Sequence, residues 1–137
     1  MLGQTVSENA ILEPCPDKPN CVSTQADPSD KIHYLKPLAY TADAKDVLAA
    51  AESVLLAMPR SQLESKTGMR LELTFRSRVF RFVDDVIIVL DEANQQLHFR
   101  SAARMGHSDI GVNRKRMKEF VVELKEVLPQ GSISLVD

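Results

Sequence analysis

Residues 69–101 read MRLELTFRSRVFRFVDDVIIVLDEANQQLHFRS, and the fold is decided there. Leu71, Leu73 and Phe75 alternate with Arg70, Glu72 and Thr74, the period of a strand with one buried face and one wet face. Phe80 and Phe82 then fall in the opposite parity, so a bulge near Ser77-Arg78 is expected to return both apolar sets to one side. Asp84-Asp85 reads as a turn into residues 86–90, an unbroken apolar run typical of a strand covered on both faces. Residues 91–95 make the next turn, and Leu97, Phe99 and Ser101 alternate with His98 and Arg100 in a last strand. Upstream, residues 62–66 supply another strand, turned by Thr67-Gly68. Connections this short favour antiparallel pairing.

Helices flank this meander. Thr41 or Asp43 caps a helix over about 43–58, in which Ala44, Val47, Leu48, Ala51, Leu55 and Met58 form one buried stripe that Pro59 ends. Met117, Phe120, Val121, Leu124, Val127 and Leu128 mark a second helix, with its cap at Asn113 and its stop at Pro129-Gln130-Gly131. Residues 32–35 form a short strand that Pro37 places at an edge. Before them, Pro14, Pro16, Pro19 and Pro28 deny a regular ladder or helix, so residues 1–31 are an irregular arm. The predicted fold is α+β, an antiparallel sheet of about five strands with both helices packed on one face. Its order is strand, helix, four strands, helix, within one domain over 32–130.

The totals fit one globular domain: 137 residues, 44% hydrophobic and 26% charged. A net charge of -2 gives no general attraction to nucleic acid, which is not an expected partner. No run reaches the ~20 apolar residues of a membrane span, and the first twelve residues lack the charged start and apolar stretch of a signal peptide. As written the chain is expected to be soluble, in the cytoplasm or, if an export segment is removed upstream, in the cell envelope. No motif for a cofactor is present, and no pattern sets an oligomeric state.

Residues 100–118, RSAARMGHSDIGVNRKRMK, stand apart, with six Arg or Lys against one acid. Arg100, Ser101, Arg104, Ser108, Asp109, Asn113 and Arg116 are the candidate ligand-binding residues, because forked donors, hydroxyls and a helix start suit an anion. Arg114, Lys115 and Arg116 place three cations in the first helical turn, where the dipole disfavours each by ~0.3–1 kcal/mol. Either a bound anion or an internal acid such as Asp109 must offset them. Arg76, Arg78, Arg81, His98 and Arg100 either extend this patch across the sheet or are ordinary solvent-side charges. Asp84 and Asp85, as neighbours in a strand, point to opposite faces and cannot share one ion.

Cys15 and Cys21 are a disulfide candidate in an oxidising compartment and thiols in cytosol. Zinc comes second, since their spacing exceeds the usual pair and only His33, His98 and His107 remain as nitrogen ligands. His107, Ser108 and Asp109, adjacent in one loop, lack the spatial convergence of a triad. Ser101 has no nucleophile elbow around it.

The segments CPDKPNCVS at 15–23, His33 with Pro37-Leu38, FRFVDD at 80–85 and RSAARMGHSDIGVNRKR at 100–116 resemble the bacterial and plastid family catalogued as domain of unknown function 1499. The resemblance runs from Pro14 to about Leu128. The last motif is met at Arg100, Ser101, Arg104, Gly106, Ser108, Asp109, Gly111, Asn113 and Arg116, and departs at Ala103, where the family form has Ser. It implies a shared fold and a shared polar loop, and no reaction.

Three functions compete. The first is a non-enzymatic module that binds an anionic small molecule, lipid headgroup or partner through residues 100–116. The second is a hydrolase or transferase on a phosphorylated or acylated substrate, using Ser101, Arg104, His107 and Asp109. The third is a structural or interaction protein whose loop clasps the second helix to the sheet.

Overall fold

The computed structural model describes residues 5–80 and 82–137. In chain order the elements are β1 (Cys21–Ser23), β2 (Leu38–Tyr40), α1 (Ala44–Ala57), β3 (Ser61–Thr67), β4 (Arg70–Arg76), β5 (Val83–Asp91), β6 (Gln96–Ala103), α2 (Val112–Val127) and β7 (Ile133–Leu135). A 3-10 turn at Glu8–Ala10 precedes them. The fold is α+β with one antiparallel sheet, ordered β3-β4-β5-β6-β2-β7. β6 carries β2 at its start and β1 at its end: Leu38 pairs with Leu97, and Cys21 with Ala102.

Alternation decides which side chains meet. Leu71, Leu73 and Phe75 of β4, Val86, Ile88 and Leu90 of β5, and Leu97 and Phe99 of β6 enter one cluster with Val47 and Leu55 of α1 and Met117, Phe120 and Leu124 of α2. The register opposes Leu73 to Val86 and Ile88 to Phe99, and Phe99 meets Phe120 edge to face at 6.2 Å. Asp43 caps α1 by accepting the Lys45 N-H at 2.9 Å, and Pro59 follows the end of that helix.

The opposite face of β5 and β6 is covered by the arm. Val6, Ala10 and Leu12 pack on Ile87 and Val89. Ser7 donates its N-H and its hydroxyl to Asp91, at 3.1 and 2.6 Å, and Asn94 donates to the same carboxylate at 2.8 Å. Burial pushes the Asp91 carboxyl up, but these donors outweigh it and hold it below its ordinary value. His98 is buried beneath the arm against the Thr24 hydroxyl, 2.8 Å from Nδ1, and burial lowers its pKa.

Several expectations are corrected. The sheet has seven strands instead of about five, because the arm contributes β1 and the residues after α2 contribute β7. The strand expected at 32–35 is a run of turns with one bridge, Ser23 to Tyr34; the strand lies at 38–40, after Pro37, whose carbonyl accepts the Val136 N-H at 2.9 Å. No bulge gathers Phe80 and Phe82 with Phe75. Ser77 and Phe82 bond across the ends of a connection, N-H to carbonyl at 2.8 Å, and both phenylalanines project into solvent. The register shift falls instead between Leu63 and Ser65. Asp84 and Asp85 do not turn the chain; they lie inside β5, opposite Phe75 and Thr74.

Candidate functional site

β5 and β6 end beside the entry to α2, which places residues 100–116 over the edge of the sheet. Ser101 lies on the helix-facing side of β6, fully buried. Its hydroxyl donates to the Asn113 amide oxygen, and the Asn113 amide nitrogen donates to Asp109 Oδ2 at 2.7 Å. Asn113 is therefore not the helix cap expected of it. Gly111 stands at that position with φ +77°, and Asp109 reaches forward to accept the N-H groups of Gly111 at 2.8 Å and Asn113 at 3.0 Å. The carboxylate satisfies helix-start donors while the amide is spent in the interior.

Each arginine of the window has an internal acceptor. Arg116 donates to Asp84 Oδ2 at 2.9 Å and to Asn113 Oδ1 at 2.9 Å, with its guanidinium 4.4 Å over the Phe75 ring. Arg104 forks onto both oxygens of Asp85, at 2.8 and 2.9 Å. Arg114 donates to the carbonyls of Lys31, Ile32 and Tyr34, tying α2 to the arm. Arg100 donates to the Pro14 carbonyl at 3.3 Å. Ser108 accepts the Ile110 N-H at 3.2 Å within the loop. The first-turn cations are thus offset from inside, by Asp84 and by main-chain carbonyls, with Lys115 left exposed.

The arm is fastened to the same region. Cys15 and Cys21 are joined as a disulfide, and Asn20 between them donates to the Gly106 carbonyl at 2.7 Å. His33 sits between two acceptors, Asp30 Oδ2 at 2.6 Å from Nδ1 and the Lys18 carbonyl at 2.8 Å from Nε2. Burial pulls the His33 pKa down, but Asp30 and the Lys18 carbonyl outweigh it and the net shift is upward.

A cleft of about 450 Å³ opens beside this network, between the end of α1, the end of β4 and the first turns of α2. Arg60, Arg76, Arg78 and Lys115 line it, with Phe75, the paired Arg116 and Asp84, and Glu119. Arg60, at φ +59°, and Arg76 are doubly linked: the Arg76 N-H donates to the Arg60 carbonyl at 3.1 Å, and Arg60 Nε donates to the Arg76 carbonyl at 3.0 Å. Among the described residues no carboxylate pairs with Arg60, Arg76, Arg78 or Lys115.

The patch expected from Arg76, Arg78, Arg81, His98 and Arg100 does not form as one face. His98 and Arg100 lie toward the arm, Arg76 and Arg78 reach the cleft, and Arg81 lies outside the described residues. Nothing in the sequence singles out Arg60 beyond its place just after the helix-ending Pro59. The sequence signal for Asp84 and Asp85 as strand carboxylates is their place directly before the apolar run of residues 86–90.

A search of the curated proteins finds no match. The family model described as "Protein of unknown function (DUF1499)" matches residues 11–124, most of the chain, and the protein belongs to that family.

Proposed function

We propose that this protein is a binding module for anionic groups, phosphate or carboxylate, and that the cleft of Arg60, Arg76, Arg78 and Lys115 receives them. The supporting observation is that these four cations converge on one concavity and form no ion pair among the described residues, against Glu119 as the one lining carboxylate besides the paired Asp84, in a chain of net charge -2. Like charges held together repel, and an anion between them relieves that repulsion. The 100–116 window acts as the clasp that shapes the cleft. Of its residues Val112, Lys115 and Arg116 also line the cleft, and Arg100, Ser101, Arg104, Ser108, Asp109 and Asn113 serve the internal network.

Hydrolysis or group transfer at Ser101 has less support. The partners of that hydroxyl are an amide oxygen and the Arg116 guanidinium, and neither accepts a proton.

Thermal unfolding with inorganic phosphate and glycerol phosphate, at ionic strength matched with chloride, tests the cleft. A ligand at ~100 times its Kd adds about 2.7 kcal/mol of stability. The expected result is a rise in Tm that disappears in Arg76→Ala/Arg78→Ala. No rise, or an equal rise in that variant from general salt stabilisation, defeats the proposal.

A further inference from the structure

Resting on the anion-binding reading of the adjacent cleft, we propose that the end of the molecule formed by residues 77–80, 82 and 104–112 docks on an anionic lipid bilayer. Val79, Phe80, Phe82, Met105 and Ile110 enter the interface, while Arg76, Arg78 and Lys115 meet phosphate headgroups.

Six of the twelve large hydrophobic side chains exposed among the described residues lie on these two short segments. Ile110 is 94% exposed, Met105 78% and Phe80 73%. The segments are neighbours, since the Arg104 N-H donates to the Val83 carbonyl at 3.0 Å and Asp84 pairs with Ala103. Phe82, Met105 and Val112 line one hollow of about 330 Å³. Phe80 and Phe82 stack on each other with ring centroids 5.6 Å apart, so neither is turned toward the core. Exposed apolar groups gathered at one end mark an interaction surface.

Ile110 strengthens the case. It adopts φ +56°, a conformation that a β-branched residue disfavours and that Asn or Gly adopts readily. A loop with only a structural task gains nothing from isoleucine at such a place in water.

Charge selects the occupant. The apolar tips adjoin cations that form no ion pair among the described residues and outnumber the carboxylates beside them, and Val112 and Lys115 line the same cleft as Arg76 and Arg78. Apolar insertion together with a basic patch is the combination that holds a peripheral protein on anionic lipid. A second copy of the chain, docked through the same end, would set Arg76 and Arg78 against their equivalents, which like-charge repulsion opposes.

The test is sedimentation of the full chain with vesicles of phosphatidylcholine and phosphatidylglycerol at about three to one, against pure phosphatidylcholine. The expected outcome is pelleting with the anionic vesicles only, weakened by salt and reduced at least about tenfold in Phe80→Ser/Phe82→Ser. That variant alters exposed side chains, and circular dichroism checks its fold. It should keep the phosphate-dependent Tm rise, which separates docking from headgroup recognition. A wild type that shows the Tm rise yet stays in the supernatant overturns docking alone. Equal pelleting with neutral vesicles overturns it, as does wild-type pelleting undiminished in the variant. A concentration-dependent dimer abolished by Phe80→Ser/Phe82→Ser, without pelleting, assigns the surface to self-association and also overturns it. Absence of the Tm rise together with Phe-dependent pelleting removes the cleft and overturns the headgroup half of this inference.

Discussion

Asp84 and Asp85, consecutive in β5, close ion pairs on opposite faces of the sheet. Asp84 meets Arg116 of α2, with side chains 14% and 13% exposed, and Asp85 meets Arg104, with 36% and 52%. The same chemistry therefore operates in two dielectric environments. Removing one partner of a buried pair leaves a desolvated charge, and Asp84→Ala is expected to lower unfolding free energy by about 3 kcal/mol. The exposed pair is screened, so Asp85→Ala should cost under about 1 kcal/mol. Urea unfolding of both variants measures the contrast, and equal losses contradict it.

Reduction of the Cys15–Cys21 bond frees a short loop that carries Asn20 and leads into β1. Closing such a loop contributes about 2 kcal/mol through the unfolded chain. The urea midpoint should fall on addition of a thiol reductant, and Cys15→Ser/Cys21→Ser should reproduce the fall and be insensitive to reductant.

His33 gives the arm a pH dependence whose sign follows from its two acceptors. Its folded pKa is raised above the ordinary 6.5, so folding favours the imidazolium, whose two N-H groups face Asp30 and the Lys18 carbonyl. This stabilisation is fully present below the unfolded value and is lost as pH rises through the folded one. Tm should decline from pH 6.5 upward in the wild type by more than in His33→Ala. Matching profiles for the two proteins would contradict this linkage. Asp30, held below its ordinary value by His33, contributes in the opposite sense, its stabilisation being lost only in acid.

Ile110→Asn should stabilise the protein. A strained residue of this kind costs of order 1–3 kcal/mol, and Asn tolerates φ +56° while losing nothing from the core, since Ile110 is exposed. The unfolding midpoint should rise, and the same variant should pellet less with anionic vesicles. A lowered midpoint would show that the loop draws support from the isoleucine side chain.

The helices and the long strands were legible because their information is local. Val47, Leu48, Ala51 and Leu55 repeat with the helical period, and Leu71, Leu73 and Phe75 with the strand period, whatever they pack against. Family membership was equally readable in the motif of residues 100–116. What failed locally depended on partners distant in the chain. Phe80 and Phe82 looked like core residues by type and spacing, but the Ser77–Phe82 closure turns their segment away from the sheet. Asn113 looked like a cap, but the buried Ser101 and Arg116 claim its amide, leaving the cap to Asp109.

Composition and periodicity thus determined an α+β sheet with two helices and a polar, arginine-rich entry to the second of them. Only tertiary structure decided which arginines are neutralised. Arg104 and Arg116 find Asp85 and Asp84, while Arg76 and Arg78 face a cleft. Periodicity is set by neighbours one turn or two residues away, whereas a charge is paired or left free by groups that only the folded chain brings within a few ångströms.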